Sequence, residues 1–234
     1  MHRCEKHIRR GTIITAEALT LMTVAFVLKR GDGLKLALAT GTLLLVLVPE
    51  LAERLFRCRI NTAVYVLGVA YAIGPMLGQC WKFYYTVPFW DKLLHICGGV
   101  MFVILGIYLF ERMSRGSGNN LSSAAFALCF SIAISAVWEF VEYGADLFLG
   151  MDMQHDTVVP GITSFLLGTE TGVTGSIKNI SSVFVDSIPL PVNGYIDIGL
   201  HDTMLDMLLE SLGALITAAI LYADKGRHPL IRGR

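Results

Sequence analysis

Long apolar runs separated by short polar breaks dominate the chain. A helix needs roughly 20 apolar residues to cross a bilayer. Six runs approach that length, at about 12–29, 34–53, 61–81, 91–111, 121–149 and 201–223. The pattern predicts an all-α, polytopic membrane protein forming a single integral membrane domain over 1–234. The first run follows a basic head (Arg3, Lys6, Arg9, Arg10), but no small-x-small site precedes Lys29 and Arg30. It is therefore read as a retained helix and not a cleaved signal. Residues 150–200 make the longest connection. They are rich in Gly, Ser and Thr, with Pro160, Pro189 and Pro191. A connection of this length is usually a functional lid or disordered. Its apolar pieces favour an outer cap, partly re-entrant or lying on the surface.

Three stretches break the apolar pattern: Trp90-Asp-Lys-Leu-Leu-His95, Trp138-Glu-Phe-Val-Glu-Tyr-Gly-Ala-Asp146 and His201-Asp-Thr-Met-Leu-Asp-Met-Leu-Leu-Glu210. Ionisable groups inside a membrane segment are costly and usually mark a functional site. Asp91 and His95 are four residues apart. Glu139, Glu142 and Asp146 follow i, i+3, i+7, and Asp202, Asp206 and Glu210 follow i, i+4, i+8. Each set therefore shares one stripe of its helix. Their neighbours are mainly apolar, so the stripes are expected to turn inward around a shared cavity. His95, Glu139, Glu142, Asp206 and Glu210 lie within the runs and form the core of the candidate site. Asp91, Asp146 and Asp202 lie near run ends, where a helix-cap or interfacial role competes, and are assigned to its rim. His201 is read as a loop or interface residue. Near the start of the cap, Asp152, Gln154, His155 and Asp156 offer further polar groups.

Composition supports the setting. Mean hydropathy is +0.59 and charged residues make up 16%, against about 25% in an average soluble domain. Lys plus Arg and Asp plus Glu balance at 19 each, which argues against nucleic acid as a partner. Basic residues orient the helices. With the N-terminus inside, inner segments hold thirteen Lys and Arg and outer segments six. Both termini are then cytoplasmic, and all three acidic motifs fall in the outer half of the bilayer. Glu139 lies about 10 Å deeper than Asp146, and Glu210 about 12 Å deeper than Asp202, at 1.5 Å per residue. Five cysteines without CxxC spacing argue against a zinc ribbon and a disulfide framework. No phosphate loop, nucleophile elbow or internal repeat is present.

Several carboxylates at close range need a counter-charge or shared protons. One histidine with many carboxylates suits a divalent metal (Zn, Mn, Fe or Mg). The leading expectation is a metal site built from His95, Glu139, Glu142, Asp206 and Glu210, with Glu142 and Asp206 as candidate general bases. Such a site could hydrolyse a membrane lipid or a lipid-linked substrate. A cation or proton transporter using the same acids is the alternative, and a non-catalytic binding or scaffold protein is a third. The inner halves of the fourth to sixth helices are almost wholly apolar, which favours a one-sided site over a transport path.

The ordered motifs resemble a known family. Trp90-Asp-Lys-Leu-Leu-His95 with Gly98 and Gly99, Trp138-Glu-Phe-Val-Glu142 with Asp146, Met153 and Gln154, and Asp202-Thr-Met-Leu-Asp206 with Gly213 and Ala214 resemble the YjdF-like family of bacterial inner-membrane proteins. The likeness covers about residues 70–215. It implies a multi-pass protein of the prokaryotic inner membrane and brings no activity with it. A looser likeness, in the Asp-Lys-x-x-His helix start and later acids, is to VanZ-type membrane proteins.

Overall fold

The computed structural model describes residues 2–115 and 118–224. Eight helices run in order: α1 (His2–Arg30), α2 (Gly33–Leu45), α3 (Val48–Phe56), α4 (Thr62–Cys80), the single turn α5 (Phe83–Thr86), α6 (Trp90–Met113), α7 (Asn120–Leu149) and α8 (Leu200–Ala223). Six stretches are long and apolar enough to cross a membrane: Cys4–Arg30, Gly33–Phe56, Thr62–Cys80, Trp90–Met113, Asn120–Leu149 and Leu200–Ala223. These match the six expected runs, and the protein is mostly helical as expected.

Two boundaries differ from the sequence expectation. α1 begins ten residues early, because its first turns are polar and hydropathy registers only the apolar part. The expected run 34–53 is two helices, broken at Val46 and Leu47, with Pro49 in the first turn of α3. Proline has no N–H to give and suits the start of a helix, so it favours a fresh start here. Side-chain caps fix two other starts: Asp32 accepts from the Lys35 N–H at 3.0 Å, and Asn61 from the Ala63 N–H at 2.9 Å. The basic residues Lys225, Arg227, Arg232 and Arg234, which entered the orientation argument, lie outside the described residues.

Within the span expected to be one domain, contacts divide the chain into two compact units, residues 1–135 with 208–234, and residues 136–207. In the first unit α1 packs on α2 and α4, and α4 packs on α6. Its core includes Tyr65, Val69, Val103, Ile104, Ile107, Ala127, Ala214, Ala218 and Leu221. The small members of this core matter because lipid supplies no hydrophobic drive between helices, so close backbone approach must hold them. α6 and α7 meet where a Cβ on Gly106 would lie 2.8 Å from Ala127 Cα. α6 and α8 approach more closely still. A Cβ on Gly99 would lie 2.1 Å from the Glu210 carbonyl oxygen, and one on Gly213 would lie 2.6 Å from the Ile96 carbonyl oxygen.

One end of this unit is tied by Arg9. Its guanidinium pairs with Glu53 at 2.8 Å, donates to the Ile60 carbonyl, and lies 4.6 Å from the centre of the Tyr65 ring. The aromatic residues between positions 81 and 90 divide in two. Trp90 donates to the Gly74 carbonyl at 3.2 Å, Trp81 donates to Thr23 at 3.0 Å, and Tyr84 lies against Gly78. Tyr85 and Phe89 are exposed.

The second unit holds the end of α7, the long connection and the start of α8. The connection is not irregular throughout. Three antiparallel pairs form: β1 (Thr157–Val159) with β6 (Tyr195–Asp197), β2 (Gly161–Ser164) with β3 (Gly175–Lys178), and β4 (Phe184–Val185) with β5 (Ile188–Pro189). Thr157 pairs with Asp197 and Ile162 with Ile177. Gly199, at φ +99°, lets the chain pass within contact of Gln154 before α8 begins; a Cβ there would lie 2.8 Å from the Gln154 carbonyl oxygen.

Candidate functional site

α7 and α8 carry their polarity inside out. On α7, Glu139 and Glu142 are buried, whereas Trp138, Phe140, Val141 and Tyr143 are exposed, Phe140 by 71%. On α8, Asp202, Asp206 and Glu210 are buried, while Met204, Leu205, Leu208 and Leu212 are exposed. In water this pattern would be unstable; in hydrocarbon it is the expected one. The buried stripe of α7 also continues through Ser131 and Ser135. Ser131 Oγ donates to the Gly99 carbonyl at 3.3 Å.

In the first unit, the structure brings together Asp91, His95 and Glu210. His95 is 6% exposed and Glu210 3%. Nδ1 of His95 stands 3.5 Å from Oε2 of Glu210, and Nε2 stands 3.8 Å from Oδ1 of Asp91. Both separations exceed the 2.7–3.2 Å of an ordinary N–H···O hydrogen bond. The glycine contact between α6 and α8 explains the first meeting. Glu210 supplies the carbonyl against Gly99, one turn of α6 beyond His95, so the carboxylate starts beside the imidazole. Gly98 leaves room for it. A Cβ there would lie 3.1 Å from the Tyr71 hydroxyl and 3.4 Å from Oε1 of Glu210. That Oε1 is buried and makes no hydrogen bond among the described residues. Asp91 is held at 3.2 Å by its neighbour Lys92.

In the second unit, Glu139 and Glu142 present carboxylate oxygens within 4.8 Å of each other, as their i, i+3 spacing requires. Trp138 Nε1 donates to Glu142 Oε1 at 2.8 Å. Sequence reasoning treated Trp138 only as part of the motif, although its i, i+4 relation to Glu142 was visible. Asp206 is buried on α8, 1% exposed.

The rim residues have structural duties here. Asp146 accepts backbone N–H groups from Met153 at 2.6 Å and Gln154 at 2.9 Å, and so folds the start of the connection back on α7. Gln154 in turn donates to Thr203 on α8. Asp202 stands 3.7 Å from His155 Nδ1. His201 is exposed, and its backbone N–H donates to Asp197 at 2.6 Å. In the connection, desolvation first, then repulsion from Asp152, Asp146 and Asp197, holds the Asp156 carboxyl above the ordinary aspartate range.

The family model described as "Predicted membrane protein (DUF2238)" matches residues 12–227. A relative in Thermotoga maritima carrying the description "Uncharacterized protein" is 26% identical over 155 residues, which is 65% of this chain and 58% of the relative. The chain thus spans little more than half of that relative's length. No solved structure matches. These findings accord with the likeness read from the three motifs. Six helices fit to cross a bilayer, acids buried beneath lipid-facing rings, and a match over nearly the whole length lead to one statement: this is an integral membrane protein belonging to the DUF2238 family of predicted membrane proteins.

Proposed function

We propose that His95 and Glu210 are the nucleus of a divalent-metal site that serves hydrolysis of a lipid or lipid-linked substrate. The observation that carries this reading is the 3.5 Å separation of Nδ1 and Oε2 at nearly full burial. Two ligands about 2.1 Å from one cation at a tetrahedral angle lie about 3.4 Å apart. The pair is too far apart to share a hydrogen bond and suitably spaced to share an ion. The opposite nitrogen faces Asp91, in keeping with the carboxylate that commonly orients a ligating histidine.

The remaining ligands are assigned from sequence spacing: Glu139, Glu142, Asp206. A cation there would acidify a bound water, and Glu142 or Asp206 is the candidate to accept its proton. Nitrogen and oxygen donors without thiolate suit Zn, Mn, Fe or Mg. The apolar inner halves of α6, α7 and α8 support a one-sided enzyme site over a transport path.

The test is elemental analysis of the purified full-length protein, alongside His95→Ala and Glu210→Gln. One equivalent of a divalent metal in the wild type, lost in both variants, is expected. Wild-type protein reconstituted with each of the four metals and still holding none overturns the reading and leaves the acids to proton transfer or helix packing.

A further inference from the structure

A cavity lies at the other end of the first unit, away from the acidic motifs in sequence and in chemistry. It measures about 450 Å³ and is lined by Phe56, Arg57, Cys58, Arg59, Tyr108, Glu111 and Arg112. Three guanidinium groups face one carboxylate, an excess of positive charge. Arg59 is already engaged, pairing with Glu5 at 3.0 Å. Arg57 and Arg112 are exposed and have no ion-pair partner among the described residues. Arg57 also closes α3 in the left-handed region, at φ 52°.

The cavity also has an apolar component. Phe56 and Tyr108 stack with ring centres 6.0 Å apart. Next to the charged residues in sequence, Leu55 and Met113 are exposed by 58% and 65%. These sit in helices apolar enough to span a membrane, so they are suited to meet acyl chains. Arginines beside lipid-facing leucine and methionine, at helix ends that the basic-residue bias assigns to the inner leaflet, are the pattern of a headgroup site. Guanidinium groups match phosphate oxygens in geometry and charge.

We propose that this cavity binds the phosphate of an anionic phospholipid headgroup, with Arg57 and Arg112 as its main ligands and the Phe56–Tyr108 stack under the glycerol end. The site uses none of the residues proposed for the metal centre and stands or falls separately from it.

Native mass spectrometry of the full-length protein, titrated in detergent with phosphatidylglycerol and separately with phosphatidylcholine, reads the affinity. Tighter binding of phosphatidylglycerol is expected, weakened about five-fold by each of Arg57→Gln and Arg112→Gln. Arg54→Gln, which removes an exposed arginine outside the cavity that is paired with Glu50, is expected to match the wild type. Equal phosphatidylglycerol affinity in the wild type and the double variant, with melting temperature unchanged, overturns the proposal. Inorganic phosphate supplies the second arm. If it raises the wild-type melting temperature and the double variant loses that effect, while phosphatidylglycerol is bound no better than phosphatidylcholine, the ligand is a free anion and the lipid assignment fails.

Discussion

Substituting Gly99 by alanine tests the link between helix packing and the His95–Glu210 pair. The added Cβ would lie 2.1 Å from the Glu210 carbonyl oxygen, 2.8 Å from the Ala214 nitrogen and 3.0 Å from the Glu210 carbonyl carbon. All three are backbone atoms of α8, so no side chain can swing aside. Carbon–oxygen contacts relax at about 3.3 Å or more, so α6 and α8 must part by about 1 Å. Overpacking of this kind costs typically 1–3 kcal/mol. Each kcal/mol lowers the melting temperature by roughly 2–4 °C in a chain of this size. The same displacement carries Oε2 of Glu210 away from Nδ1 of His95, so retention of the proposed metal is expected to fall together with stability. Gly41→Ala is the control. That residue lies within α2 and an added Cβ meets nothing within 4 Å, so the change is neutral or stabilising by up to about 1 kcal/mol, because glycine is the poorer helix former. Melting curves in detergent and metal content are measured on both variants. A Gly99→Ala protein with wild-type melting and wild-type metal content refutes the close α6–α8 crossing and the argument built on it.

Asp146→Ala removes the acceptor of two backbone N–H groups, each hydrogen bond to a charged group being worth about 1.5–3 kcal/mol. Limited proteolysis should then cut near residues 150–156 faster than in the wild type, and an unchanged cleavage rate contradicts the tethering role. Asp156 sets a pH dependence of known sign. Its carboxyl is raised above 3.8 in the folded chain, so the stability it contributes is complete below that value and is lost as pH rises through the raised one. The residue is exposed, so the effect is small. Hydrogen exchange at 157–159 and 195–197 should accelerate modestly on this rise beyond its intrinsic pH dependence. Asp156→Asn should flatten the trend, and the same trend in the variant would reject the assignment.

Helical periodicity made the buried polar faces legible in advance. Glu139 and Glu142, and Asp202, Asp206 and Glu210, lie on shared stripes because a helix returns to one face every three or four residues, and all five are buried. What periodicity does not encode is the crossing of two helices, so it could not pick Glu210 as the acid beside His95. That choice depends on Gly99 and Gly213, two glycines whose missing side chains set the approach of α6 and α8. The break between α2 and α3 was hidden for another reason. Val46, Leu47 and Val48 keep the run apolar through the turn, and only Pro49 hints at a new start. The six strands of the connection are two to four residues long, too short for an alternating pattern to stand out among glycines and serines.

Packing and chemistry are coupled at the α6–α8 crossing, and the coupling bears on why acids are placed there at all. If Glu210 only held helices together, a well-packed apolar side chain would serve as well or better, since a buried ion pair seldom improves on a hydrophobic replacement. Glycine contacts already bring these two helices together without help from charge. A buried histidine with a carboxylate facing each ring nitrogen therefore adds cost to a contact that does not need it. The same holds for Glu139 beside Glu142 on α7, where two carboxyl groups share one buried face among exposed aromatic rings. Polar groups this expensive are kept in membrane segments where they do chemistry or carry ions. Glycine packing supplies the rigid frame that such groups need, because side chains carried by two backbones in contact keep their spacing to within a fraction of an ångström.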